Sequence, residues 1–216
     1  MNLIENHFFN TPIYFGKKKE WVEKLNLASN PHISKAREDN KKTFKKDFGV
    51  VHHSETLTHD INFQEFLKYI NSNAWDILNN QGFDLTDYSL VTKELWVQEF
   101  AHLGGGNHSP HIHWNGHISG FYFLKCSDKT SYPIFHDPRS GRMMNLLPEK
   151  NQSQITLASS LVNFKLEPGT FVFFNSYLQH EFAVDSGEEP FRFIHFNVQA
   201  VLKNLINGNF KKINDS

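Results

Sequence analysis

His111-Ile112-His113 is the first place in the chain where residue type and spacing together allow chemistry. Side chains alternate along an extended strand, so two imidazoles one residue apart project to the same face and can hold one metal ion. Neutral imidazole suits Fe, Zn, Cu and Ni, so the pair leaves the metal open and requires a third ligand. His180 is the leading candidate, because it opens a β-type stretch just after the Pro168-Gly169 turn and the apolar run Thr170-Phe171-Val172-Phe173-Phe174. The chain has 13 His, and His102, His108, His111, His113 and His117 crowd into residues 102–117. A single His in a sheet is more often a hydrogen-bonded structural residue than a ligand. Taken jointly, His111, His113 and His180 favour a metal site, while His108, His117 and His195 are expected to tolerate substitution.

Downstream of His180 the chain passes through Asp185-Ser186-Gly187-Glu188-Glu189-Pro190 and returns as Phe191-Arg192-Phe193-Ile194, which predicts a hairpin. A register pairing His180, Phe182 and Val184 with Arg192, Ile194 and Phe196 aims Arg192 inward beside His180. A buried guanidinium needs an anion, and its planar fork matches a carboxylate of a ligand or of a neighbouring strand. The Gly104-Gly105-Gly106 run lacks the spacing and following helix of a dinucleotide site and reads as a flexible loop. Asp137-Pro138-Arg139 reads as a turn with a solvated ion pair.

The elements that must position these residues change character near residue 90. Before it, Trp21, Val22 and Leu25 predict a short helix, and Ile61, Phe66, Leu67, Ile70, Ala74, Trp75, Ile77 and Leu78 form one apolar stripe that predicts a helix over 61–80. After it the period is two. Candidate strands cover 95–102, 111–125, 134–136, 154–157, 161–166, 170–174, 179–184 and 191–201. About eight short antiparallel strands behind supporting helices predict a mainly β protein, a jelly roll or double-stranded β-helix of cupin-like type. We expect one domain over 1–216, with a helical or mixed part at 1–90, the β core at 91–202 and a tail at 203–216, frayed from Lys211 to Ser216.

Composition narrows the classes further. Of 216 residues 39% are apolar, yet no apolar run approaches the roughly 20 needed to span a bilayer. Lys plus Arg number 22 and Asp plus Glu 23, so the net charge of -1 favours no polyanion and nucleic acid is not the expected partner. The 21 Phe, and Lys far in excess of Arg, fit codon bias in a genome rich in A and T. A lone Cys126 cannot form an intramolecular disulfide, and the first residues lack a secretory pattern, so an intracellular, cytoplasmic location is expected.

The chain resembles the Fe(II)- and 2-oxoglutarate-dependent oxygenases of marine bacteria and their phages, relatives of the prolyl 4-hydroxylases. The resemblance begins at Thr11-Pro12-Ile13-Tyr14. It becomes specific at His111-Ile112-His113-Trp114-Asn115, Ser119 to Leu124, Phe135-His136-Asp137-Pro138-Arg139, Pro168-Gly169, Leu178-Gln179-His180, and Arg192 through Phe196-Asn197. It implies the double-stranded β-helix fold, with His111 and His180 as ligands to Fe(II). Better-studied relatives carry Asp or Glu where this chain has His113, so the third ligand is His113 or a carboxylate such as Asp137, and the local spacing favours His113. The resemblance also makes Arg192 the partner of the distal carboxylate of 2-oxoglutarate and Tyr122 a candidate hydroxyl contact. The implied reaction consumes O2 and 2-oxoglutarate, releases succinate and CO2, and hydroxylates an amino acid, a peptidyl residue or another small molecule. The Gly104 to Asn107 loop and the 137–155 segment are candidates for substrate contacts or a lid. Two other readings stand beside it: a cupin-like metal enzyme working without 2-oxoglutarate, and a non-catalytic jelly-roll binding module.

Overall fold

The computed structural model describes residues 3, 4, 6–139 and 147–206. Among the described residues ten strands and three α-helices follow in the order β1 (Ile13–Lys17), α1 (Val22–Lys41), β2 (Val51–His53), α2 (Gln64–Asn80), β3 (Tyr88–Phe100), β4 (His108–His111), β5 (Ile118–Lys125), β6 (Pro133–His136), β7 (Leu161–Asn163), β8 (Thr170–Asn175), β9 (His180–Phe182), β10 (Arg192–Leu202) and α3 (Lys203–Ile206). They build two antiparallel sheets, a larger one in the order β1-β8-β5-β10-β3-β2 and a smaller one in the order β4-β9-β6-β7. This is the jelly roll expected from the strand pattern.

The larger sheet is buried on both faces. On one face Leu95, Val97, Ile118, Tyr122, Leu124, Phe171, Phe173, Ile194 and Phe196 pack against the stripe of α2 and against Leu25 and Ile33 of α1. On the other, Phe121, Phe123, Phe174, Phe191 and Phe193 meet Phe135 and Phe182 of the smaller sheet. Strands covered on both sides read as unbroken apolar runs, which is why β5 and β8 show so little alternation.

Helix α2 starts behind a 3-10 turn at Ile61–Phe63, where Asp60 accepts a hydrogen bond from the backbone N–H of Asn62. Helix α1 runs to Lys41, well beyond the short helix expected. Its buried residues, Leu25, Ser29, Ile33 and Ala36, keep helical spacing, but Pro31 and the polar residues between them obscure the stripe in sequence.

Several strand expectations are corrected. β3 begins at Tyr88 rather than near 95, residues 154–157 form no strand, and the expected strand over 111–125 is two strands parted by a turn at 112–117. The expected β9–β10 hairpin is absent as well: β9 lies in the smaller sheet and β10 in the larger. The connection between them crosses from sheet to sheet, and Asp185 holds it by accepting from the backbone N–H of Ser131 and of Gly187, each at 2.8 Å. No described helix is long and apolar enough to cross a membrane. The expected fraying from Lys211 to Ser216 lies outside the described residues.

Candidate metal centre

His111 and His180 are direct partners across the antiparallel pair β4–β9. Side chains at such positions stand side by side, and the two rings lie 4.5 Å apart between centroids. β4 is an edge strand, which is how it accommodates Pro110 just before the histidine. His111 and His113 do not alternate along one strand as expected, because β4 ends at His111 and His113 sits in the following turn. That turn is held by Ser176, whose carbonyl accepts from His113 N at 3.1 Å and whose N–H donates to the His117 carbonyl at 3.0 Å. A Cβ on Gly116 would stand 2.6 Å from Ser176 Oγ, so the close approach requires glycine there.

The ligating atoms of His111, His113 and His180 all lie within 4.8 Å of one another, a group that can hold a metal ion. Their tautomers are set by backbone carbonyls. His111 Nδ1 donates to Ser109 O at 2.7 Å and His180 Nδ1 donates to Leu178 O at 3.0 Å, which leaves the Nε2 lone pairs free. His113 Nε2 lies 3.3 Å from His180 Nε2 and 3.1 Å from His195 Nε2. His195 is 3% exposed, and its Nδ1 has no partner among the described residues. A buried N–H without an acceptor is rarer than a buried acceptor without a donor, so the His195 proton sits on Nε2 and is donated to His113. One ligating nitrogen from each of the three rings is then within reach of a single ion, and a cation would satisfy all three. Residues and group fit.

The setting disfavours the charged form of His113 and His180. Phe174, Phe121 and Phe135 surround the His180 ring at 4.8, 5.6 and 6.0 Å. Burial pushes His180 down to about 3, and burial with the nearby His111 pushes His113 down to about 4. His108 is also pushed down to about 4, mainly by burial, and its Nε2 is 2.7 Å from the Gln98 amide.

Two expected site residues are elsewhere. On β10 the inter-sheet face carries Phe193 and His195, in line with Phe191 just before the strand, so Arg192 points to the helix side. There it donates to Glu99 through Nε at 2.8 Å and Nη2 at 2.7 Å, and through Nη1 to Asn30 Oδ1 at 2.7 Å. The inward placement beside His180 required a β9–β10 register that does not form, and the anion Arg192 needs is Glu99. Tyr122 likewise faces the helices, donating to the Lys18 carbonyl at 2.7 Å. Among the described residues Arg192 is the single buried Lys or Arg.

Asp137, the alternative ligand, lies outside the histidine group and is held by Arg139 through Nε at 2.9 Å and Nη2 at 2.7 Å. Both line a cavity of about 370 Å³ that reaches Phe135 and Leu178 beside His180. Of the 137–155 segment, residues 140–146 lie outside the described residues. The Gly104 to Gly106 run is tied down: Gly104 O accepts from Gly49 N at 2.8 Å and Gly105 N donates to Asp185 O at 2.9 Å.

The sequence reading missed His195, because parity on β10 was assigned from Arg192. It also missed a buried chain in which Ser119 Oγ contacts Ser176 Oγ and donates to Asn197 Oδ1, while Asn197 donates to Glu94. The Ser119 and Asn197 motifs carried the signal, but only topology joins them to Ser176.

Residues 94–197 match the profile of a family described as "Putative 2OG-Fe(II) oxygenase". No curated protein matches the chain in sequence. Among solved structures, EctD from S. alaskensis with 2-oxoglutarate and 5-hydroxyectoine is similar at TM-score 0.60 and 12% identity, over 88% of this chain and 73% of that one. A Pseudomonas putida prolyl-4-hydroxylase is similar at TM-score 0.52 and 9% identity, over 88% and 93%. Of a 2OG-Fe(II) oxygenase-family oxidoreductase from Burkholderia pseudomallei the chain spans only 56%, covering 64% of itself, at TM-score 0.45 and 10% identity. By sequence over residues 94–197 this chain matches the 2OG-Fe(II) oxygenase family, and it has the jelly-roll fold of those enzymes.

Proposed function

We propose that the protein is an Fe(II)- and 2-oxoglutarate-dependent oxygenase that hydroxylates an amino acid, a peptidyl residue or another small molecule in the cytoplasm, with His111, His113 and His180 as its metal ligands. One observation carries the reading: one ligating nitrogen each from His111, His113 and His180 lies within 4.8 Å of the others, two of the rings having tautomers fixed by carbonyls, inside the stretch that matches the family. Fe(II) with 2-oxoglutarate would supply activation of O2 coupled to release of succinate and CO2 and to oxidation of the substrate.

The chain's own part follows from its geometry. Imidazole ligates a metal ion in its neutral form and no carboxylate joins the three among the described residues, so they would leave the ion's charge to be balanced by an anionic ligand. Phe121, Phe135 and Phe174 exclude water from the His180 side. Trp114, 84% exposed beside His113, and Tyr177, 55% exposed beside Ser176, offer aromatic surface to a substrate at the ligand turn. The similar structures include a prolyl-4-hydroxylase and a protein holding 5-hydroxyectoine, so both peptidyl and small-molecule substrates fall within the proposal.

A cupin-like enzyme without 2-oxoglutarate is the second reading, favoured by the all-histidine group and by Arg192 being committed to Glu99. Anaerobic addition of 2-oxoglutarate to the Fe(II)-loaded protein separates the two. The oxygenase reading expects a visible metal-to-ligand charge-transfer band, and succinate release once O2 and a substrate from a panel of amino acids and peptides are admitted. Fe(II) binding with no band favours the cupin-like reading, and no metal binding at all favours a binding module.

A further inference from the structure

His195 stands apart from the three proposed ligands and yet touches their centre. Its Nε2 reaches His113 Nε2 at 3.1 Å, but it does not belong to the group whose ligating atoms are all mutually close. The ring is fixed. It stacks on Trp96 at 4.4 Å with an interplanar angle of 21°, and it packs against Phe121 at 5.4 Å. Both contacts follow from register, since His195 pairs with Trp96 of β3 on one side and with Phe121 of β5 on the other. A side chain clamped between two central strands cannot swing to seek a new partner.

The hydrogen-bond inventory of this ring is incomplete. Nδ1 is buried and unpartnered, so the ring proton belongs on Nε2, where His113 Nε2 accepts it. That acceptor is available only while the lone pair of His113 is free. Once the pair is given to a metal ion, the His195 N–H loses its partner, in a buried position where an unsatisfied donor is costly. The replacement must be an acceptor next to His113 on the metal, and an oxygen atom carried by the ion is such a group.

We propose that His195 donates its Nε2–H to a carboxylate oxygen of 2-oxoglutarate bound at the metal beside His113, and so helps to seat the co-substrate in a chain whose buried Arg192 guanidinium is turned away from it. The proposal rests on the oxygenase reading above. It gives the dicarboxylate a protein contact at the metal end, from a neutral donor rather than a cation.

The test compares wild type, His195→Phe, His195→Gln and His180→Ala. Each is titrated with Fe(II) under anaerobic conditions and then with 2-oxoglutarate, the readout being the visible charge-transfer band rather than turnover. Phe keeps the ring stacked on Trp96 and removes the donor, while the Gln amide returns an N–H near the place of Nε2. A hydrogen bond to a charged acceptor corresponds to about tenfold or more in binding. His195→Phe is therefore expected to hold Fe(II) within about threefold of wild type while needing at least about tenfold more 2-oxoglutarate for half-saturation, with a shifted band. His195→Gln is expected to recover most of the difference. A His195→Phe titration identical to wild type overturns the proposal, as does a His195→Gln no better than His195→Phe. Loss of Fe(II) from His195→Phe as complete as from His180→Ala also overturns it, by making His195 a ligand. If wild type itself binds Fe(II) and shows no band, the co-substrate reading fails and this contact fails with it, a result told apart because the unmutated protein gives it.

Discussion

At the scale of single residues, the centre depends on imidazoles held neutral by burial. His180 and His113 have values near 3 and 4, below the 6.5 of a solvated imidazole, so between those limits the unfolded chain binds more protons than the folded one. Stability therefore rises with pH across that window and is lost as pH falls from 6.5 toward 4. Urea unfolding of the metal-free protein at pH 7, 6 and 5 is expected to give midpoints that decrease in that order, and a flat series would contradict neutral burial of these rings. Arg192 answers a different question at this scale. It and Arg37 both bind the carboxylate of Glu99, which is 2% exposed. Removing Arg192 strips its charge-assisted hydrogen bonds from the buried carboxylate and leaves it Arg37 alone, so Arg192→Ala is expected to cost about 1.5–3 kcal/mol by denaturant unfolding. The folded fraction is expected to keep its half-saturation by 2-oxoglutarate; a steep rise with stability intact would instead restore Arg192 as the co-substrate anchor.

At the scale of elements, the proposed ligands come from two short strands and a turn rather than from one strand. β4 and β9 bring His111 opposite His180, and the 112–117 turn, tied to Ser176, delivers His113. The connections around them are pinned as well. Gly187, at φ +75°, lies so close to the 103–104 backbone that a Cβ would stand 2.2 Å from Gly104 N, which locks the β9–β10 connection against the β3–β4 loop. The flexible loop expected at Gly104–Gly106 is therefore a fixed brace at its glycines. Helix α1 is tethered by Asn26 and Asn30 to the Arg192–Glu99 pair, so this pair joins helix layer and sheet rather than lining the inter-sheet space.

At the scale of the whole molecule, the larger sheet is the rigid plate, with helices on one face and the aromatic inter-sheet core on the other. A metal held by His111, His113 and His180 would link both strands of the β4–β9 pair to the turn anchored on Ser176, just after β8, contacts that the unfolded chain lacks. Ligand present at about 100 times its dissociation constant stabilises by about 2.7 kcal/mol, which for a chain of this size is roughly 5–10 °C in Tm. Fe(II) or Mn(II) is expected to raise Tm by that amount, EDTA to reverse the rise, and His180→Ala to abolish it; an unchanged Tm in the wild type would count against the metal centre.

The helical stripe from Phe66 to Leu78, the strand-rich character after 90 and the His111, His113 and His180 set were legible in the residues themselves, because hydrophobic pattern and side-chain chemistry are local properties, although Ile61 of the expected stripe is exposed. Parity was not. A strand buried on both faces, such as Arg192–Leu202, gives no alternation from which to tell which side faces the centre. Sequence therefore nominated Arg192 and passed over His195. The crossing of the chain from β9 to the other sheet reversed that choice, since it set the register of β10 against β3 and β5 and with it which side chains look inward. Residue identity determined what chemistry is available to this protein; only the packing of the two sheets decided which donors share one space.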